Sequence, residues 1–310
     1  MTTAAAIRPS DPPGSGAPRG RKPELEDWLN LRLYHPLAGR LARLLVPTGV
    51  SPNMVSVAGA LSIWAAAWAY ASLAWPYGAL LGLALHMLWH VIDGADGDLA
   101  RLTGKSSPTG ELVDGLCDYG GHCVLYFTLA AILDDQIGLW AWPLALAAAA
   151  SHAVQTNHAE AQRRSYLWWC YGIPWLKHAQ ATGDKVFDER SWFSLTYTAL
   201  ARAYLKVAEL MAPSASRLDA LVDEPAGDPR RRLRIGRLVR RAWRRSLVYE
   251  KLVGPNPRTI MLGASMLAGS PLWFFLGEAV LLNLVLAASL IHHNAVGRRL
   301  IERLEDTSAR

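Results

Sequence analysis

Residues 93–118 read Asp93-Gly-Ala-Asp96-Gly97-Asp-Leu-Ala100-Arg101, then eight residues, Gly110, three residues, Asp114, three residues and Asp118. The stretch closes one long apolar run and opens the next. An acidic side chain at the centre of a bilayer costs roughly 2.5–3.5 kcal/mol on insertion scales, so four left bare would cost on the order of 10 kcal/mol. Something must offset that charge, and divalent metal with an anionic ligand is the natural candidate. Asp93 and Asp96 are three apart and Asp114 and Asp118 four apart, so each pair shares one face of its helix. The members of each pair then lie roughly 4.5–6 Å apart along the axis. Two such pairs on adjacent helices can hold two cations about 3.5–4 Å apart, the spacing used in phosphoryl chemistry. Carboxylate oxygens suit hard cations and no Cys/His cluster offers a softer site, so two Mg²⁺ or Mn²⁺ per site are expected over Zn²⁺. Gly94, Gly97, Gly110 and Gly115 are expected where helices approach closely or a ligand touches backbone.

Around this motif the chain segregates into apolar runs and charged stretches. Of 310 residues 51% are hydrophobic, with 32 basic and 26 acidic side chains. Runs near the spanning length of about 17–25 residues occur at 54–75, 77–99, 112–133, 139–161, 257–276 and 278–297. The second is apolar only to Ile92, so it spans only if its acids face a hydrated, metal-filled cavity. The expected fold is an all-α integral membrane bundle of six transmembrane helices. Connectors 75–77, 134–138 and 276–279 carry no Lys or Arg. Arg101, Lys105, the 163–256 segment, Arg298, Arg299 and Arg303 fall on the opposite side. The positive-inside pattern puts the aspartate site and both termini in the cytoplasm. The Ala/Arg/Leu-rich composition suits a high-GC bacterium, and therefore its inner membrane.

No cleavable leader pattern is read, and residues 1–22, rich in Pro, Gly, Ala and Ser, are expected to be a disordered tail. Residues 23–46 space Trp28, Leu29, Leu33, Leu37, Leu41, Leu44 and Leu45 helically among charges. That predicts an interfacial amphipathic helix broken or kinked at Pro36, or else a soluble helix docked on the domain. Catalytic helices occupy 47–162, a basic cytoplasmic helical insertion 163–256, the last two spans 257–298 and a cytoplasmic tail 299–310. Within the insertion, 230–245 aligns Ile235, Leu238, Val239, Ala242 and Trp243 on one side and Arg237, Arg240, Arg241 and Arg244 on the other. Such a helix suits anionic membrane lipids, at about 1 kcal/mol per basic residue near the surface. In a membrane-bound chain this is preferred to nucleic-acid binding. Cys117, Cys123 and Cys170 lack paired or metal-ligand spacing and are read as packing residues.

The 93–118 stretch resembles the signature of the CDP-alcohol phosphatidyltransferase family, D-x2-D-G-x2-A-R-x8-G-x3-D-x3-D, at every fixed position. Ser51-Pro52-Asn53-Met54-Val55-Ser56 resembles a Thr-Pro-Asn-x-Ile-Thr segment common among its members. The resemblance implies a homodimeric, metal-dependent enzyme that moves a substituted phosphate from a CDP-linked donor to an alcohol hydroxyl and releases CMP. It implies that Asp93, Asp96, Asp114 and Asp118 hold two metals and that Asp118 is also the general base. Asn53, Gly97, Arg101 and Gly110 would then help hold cytidine and phosphates. The commoner bacterial arrangement takes CDP-diacylglycerol and a water-soluble alcohol. However, Ser106 to Asp118 is similar to the choline and ethanolamine phosphotransferase branch, in which the CDP carries the head group and a diacylglycerol-like or ceramide-like lipid accepts it.

Other polar residues are weaker candidates for the acceptor site. His86 and His90 lead to Asp93 at helical spacing and His122 lies one turn beyond Asp118. Ser151, Gln155, His158 and Gln162 form a stripe followed by Arg163 and Arg164. His292, His293 and Asn294 mark the inner end of the last run. A buried hydrogen-bonded or interfacial role competes for each. A reading of another class, a cation-conducting transporter using the acids for passage, predicts no CMP release.

Overall fold

The computed structural model describes residues 22–173, 192–223 and 229–308, and all regular structure among them is helical. The expected tail lies outside the described residues except for Lys22, as do 174–191 and 224–228 of the insertion. We number the helices α1 His35–Leu45, α2 Pro52–Ser72, α3 Tyr77–Thr103, α4 Pro108–Ile137, α5 Ala141–Tyr171, α6 Trp192–Met211, α7 Pro213–Asp223, α8 Pro229–Trp243, α9 Leu247–Leu252, α10 Pro255–Leu267, α11 Leu272–Leu276 and α12 Leu282–Ser308. A π turn, Gly277–Leu281, joins α11 to α12.

Local chemistry sets the ends that matter. Ser51 caps α2 by accepting from the Met54 amide, and Ser107 caps α4 by accepting from Gly110, each followed by a proline at the first helical position. Gly104, at φ +66°, stops α3 in the left-handed conformation that glycine adopts without a Cβ clash. These caps turn the chain sharply between α3 and α4, so the two run antiparallel with their acidic ends together.

Among the described residues, four stretches are long and apolar enough to cross a membrane: 52–72, 77–103, 110–171 and 272–306. The third contains two of the expected runs, α4 and α5, separated at Gly138, whose φ is +66°. The fifth expected run is divided by a turn at 268–271 into α10, 13 residues long, and the five-residue α11. By length and composition the chain is an integral membrane protein.

The main core joins α2, α3, α4, α5, α10 and α11 through Ile63, Tyr70, Trp89, Leu129, Ala145, Leu262 and Phe275. Gly121 of α4 lets α2 come close, since a Cβ there would lie 2.8 Å from the Ile63 Cδ1. Gly115 faces open space, so the close helix approach expected there occurs one and a half turns further along α4.

Residues 23–46 form a 3₁₀ turn, a π turn at Asn30–Tyr34 and then α1, with Pro36 in its first turn. The buried face of α1 is its small one, Ala38 and Ala42 against Ala95 and Leu99 of α3, while Trp28, Leu31, Leu37 and Leu44 are exposed. A second core lies in the insertion. There Ile235, Val239 and Trp243 of α8 bury against Trp169 of α5, Leu218 of α7 and Leu300 of α12. The apolar face of the basic helix is therefore occupied by protein. Its arginines diverge: Arg240 pairs with Glu24 at 3.4 Å, Arg232 stacks over Trp168, and Arg234, Arg237 and Arg241 are exposed, as are Arg244 and Arg245 in the turn that follows.

Candidate active site

The motif does not break the helix; α3 runs unbroken through Asp93 and Asp96 to Thr103. Because α4 returns antiparallel, Asp93 comes level with Asp118 and Asp96 with Asp114, each pair within hydrogen-bonding reach. Carboxylate oxygens of Asp93, Asp114 and Asp118 lie within 4.8 Å of one another, all half-buried. Three ionised carboxylates at that separation repel strongly when partly withdrawn from water. A hard divalent cation fits this donor set. Asp96 stands slightly apart, 5% exposed, and accepts a 2.6 Å hydrogen bond from Ser56 of α2.

Asp118 is held from two directions. The Trp89 indole N–H donates to its Oδ1 at 3.1 Å, and His122 Nδ1 donates to its backbone carbonyl at 2.8 Å. Behind these, His86 and His90 converge on Thr259 of α10, His90 at 2.8 Å. The next residue inward, Arg258, is 5% exposed and reaches Thr156, Gln155 and, at 3.1 Å, the fully buried Glu278.

The N-terminal turns of α2 and α4 meet beside the acids. A Cβ at Gly110 would lie 3.6 Å from Asn53 Oδ1, which places the exposed Asn53 against the motif glycine. Two helix N-termini side by side present amide donors and positive dipole ends suited to phosphate. Gly97 borders the Arg101 guanidinium, which pairs with Asp98 at 2.6 Å and is about half exposed. Between α2 and α4, next to the acids, opens an apolar groove of about 320 Å³ lined by Val57, Ala60, Leu61, Trp64, Leu116 and Cys117 among others.

The remaining acceptor candidates go elsewhere. Gln155, fully buried, bonds Arg258, Asn283 and the Glu278 carbonyl. His158 bonds Ser289 of α12, which also contacts His293. Arg163 pairs with Glu160 on its own helix. His90 and His122 do border the acids, as supports rather than as open side chains.

Comparison with known families gives a match over part of the chain. Residues 49–167 match the CDP-alcohol phosphatidyltransferase family. The match runs from the loop before α2 nearly to the end of α5 and so contains all four aspartates. CDP-alcohol phosphatidyltransferases are transferases of the EC 2.7.8 type that use divalent metal, and the acidic cluster supplies ligands of the right kind. No curated protein and no solved structure matches the chain.

Sequence reading passed over Ser56, Trp89, Thr259 and Arg258. Ser56 ends the quoted 51–56 segment and Trp89 lies one helical turn before Asp93, so both carried a positional hint. Thr259 and Arg258 carried none, because Thr259 bonds His90 from 169 residues away and Arg258 bonds Thr156 and Gln155 from 102 and 103 residues away along the chain.

Proposed function

We propose that this chain transfers a substituted phosphate from a CDP-linked donor, CDP-diacylglycerol before others, to an alcohol hydroxyl with release of CMP. The observation that carries the reading is the convergence of Asp93, Asp114 and Asp118 within 4.8 Å beside two helix N-termini, inside the family segment. Asp93, Asp96, Asp114 and Asp118 would hold two divalent ions, Mg²⁺ or Mn²⁺, which when bound neutralise the acids and polarise the diphosphate. Asn53 would orient the cytidine and phosphates through its side chain, and Gly97 and Gly110, lacking side chains, let them approach the helix backbone. Arg101 complements phosphate oxygens. Its exchange from Asp98 costs little, because an exposed ion pair contributes only about 0–1 kcal/mol.

Asp118 takes the acceptor's proton as the new P–O bond forms. A carboxylate is a weak base for an alcohol, but it need only receive the proton as charge leaves the oxygen. The acceptor oxygen attacks the β-phosphorus in line, the bond to the CMP phosphate breaks, and the proton ends on Asp118. The apolar groove beside Asp114 and Asp118 supports an acyl-bearing substrate that reaches the acids from within the bilayer. The similarity of residues 106–118 to the choline and ethanolamine branch favours a second reading, with a CDP-linked head group as donor and a diacylglycerol-like or ceramide-like lipid as acceptor.

The same reading has six spans in a bacterial inner membrane, site and termini cytoplasmic, and a homodimeric assembly. The distribution of Lys and Arg supports the orientation. Exposed Trp28, Leu31, Leu37 and Leu44 support an interfacial N-terminal segment, and the exposed arginines of α8 support contact with anionic lipids. The test is to incubate purified protein with Mg²⁺ or Mn²⁺ and radiolabelled CDP-diacylglycerol or CDP-ethanolamine, each with a panel of acceptors. CMP release from CDP-diacylglycerol, abolished by Asp118→Asn in a folded protein, is expected. Release from CDP-ethanolamine alone selects the second reading. No CMP from either donor, with cation passage that tolerates Asp118→Asn, sinks both.

A further inference from the structure

We infer that Trp89 is a positioning residue for Asp118, fixing the carboxylate that accepts the substrate's proton; the inference rests on the general-base reading above. Trp89 precedes Asp93 by one turn of α3 and is 6% exposed. Its indole Nε1 donates to Asp118 Oδ1 at 3.1 Å across the α3–α4 interface. Indole N–H is a donor only and does not ionise in the working pH range, so it engages that oxygen in every protonation state of the site.

The ring itself is clamped. It packs edge-on to His122 with centroids 4.7 Å apart, lies 4.5 Å from the His90 ring, and touches α2 at Gly59, where a Cβ would stand 3.4 Å from the Trp89 Cδ1. His122 in turn holds the Asp118 carbonyl; because a carbonyl only accepts, its Nδ1 carries the hydrogen. Backbone and side chain of Asp118 are thus tied to one aromatic cluster. With one oxygen engaged, the carboxylate plane cannot swing, and its remaining lone pairs stay directed at the acidic cluster. A base held in this way delivers an oriented lone pair, an effect realised as the proton moves rather than on substrate binding.

The competing account is that Trp89 merely fills the core it belongs to. The two differ in what removal of the N–H does. Trp89→Phe keeps an aromatic ring, and replacement by benzothienylalanine keeps the two-ring shape without the donor. We expect kcat to fall roughly 10-fold to 100-fold in both, the usual effect of losing a hydrogen bond to a charged group, with KM for both substrates within about twofold. Thermal stability of the benzothienylalanine protein should match that of the native one. A second readout needs no turnover. In ¹⁵N-indole spectra of metal-free protein, the resonance missing from Trp89→Phe should move upfield in Asp118→Ala. Unchanged kcat in the benzothienylalanine protein, or an indole resonance indifferent to Asp118→Ala, overturns the positioning role. Full turnover of Asp118→Asn instead overturns the general-base reading, so the two failures are distinguishable.

Discussion

Replacing Glu278 by leucine should destabilise the polar network that lies behind the acidic cluster. Glu278 is fully buried in the π turn between α11 and α12, with its Oε1 3.1 Å from Arg258 Nε and 3.6 Å from His152 Nδ1. Neither Arg258 Nε nor either carboxylate oxygen makes an aligned hydrogen bond, so the attraction is mainly between charges. Removing one member of a buried pair typically costs about 3–5 kcal/mol, because the other charge stays behind. Arg258 would keep its bonds to Thr156 at 2.9 Å and Gln155 at 2.7 Å. We therefore expect the lower end, about 3 kcal/mol. Arg258→Met alone should cost a similar amount. The double variant should lie well above the sum of the two losses, since apolar residues of similar volume can replace a buried pair at little cost. The assay is equilibrium unfolding in mixed micelles for all three variants, combined as a double-mutant cycle. A Glu278→Leu protein within about 1 kcal/mol of the native one, or strictly additive losses, would refute the argument.

Three further outcomes are expected. Ser56→Ala removes the 2.6 Å donor to Asp96 and should weaken Mn²⁺ uptake roughly tenfold by calorimetry, as loss of a residue supporting a metal ligand usually does. Burial pushes the Glu250 carboxyl up to about 8 against the opposing pull of Lys251, and His293, at 3.2 Å, is not aligned to hydrogen-bond it. The folded state then holds a proton that the unfolded state releases near 4.5, so stability should fall as pH rises from there to about 8. Glu250→Gln should flatten that slope in pH-dependent melting curves, and an unaltered slope would rule the mechanism out. Gly121→Val puts side chain where Ile63 Cδ1 would be 2.8 Å from the new Cβ, and overpacking of this kind costs about 1–3 kcal/mol. Melting temperature should drop, and activity should drop with it, because α2 carries Ser56 and Asn53 into the site.

Much of the site was legible before any coordinates. Aspartates three and four apart must share helix faces, and two apolar flanks must enter a membrane, so the pairs had to meet on neighbouring helices. The pairing itself, Asp93 with Asp118 and Asp96 with Asp114, needed the tight antiparallel turn that Ser107, Pro108 and Gly104 impose. The polar stripe on α5 was legible for the same reason, and its partners were not. Periodicity puts Gln155 and His158 on an inward face, but does not say which neighbour lies opposite. Arg258, Glu278 and Asn283 do for Gln155, and Ser289 does for the Nε2 of His158. The arginine-rich helix was read correctly as amphipathic, yet its apolar side met Trp169 and Leu300 rather than lipid.

By itself the sequence determined the helical membrane class and the grouping of the four acids, because hydropathy, helical period and the cost of burying charge are local properties of the chain. The partners of those acids were decided by the tertiary structure alone. Ser56, Trp89 and His122 acquire their roles only when α2, α3 and α4 close to within hydrogen-bonding distance, and Thr259 and Arg258 only when α10 packs behind them. Contacts between residues far apart in the chain follow from how whole faces fit, and no single stretch of sequence encodes that fit.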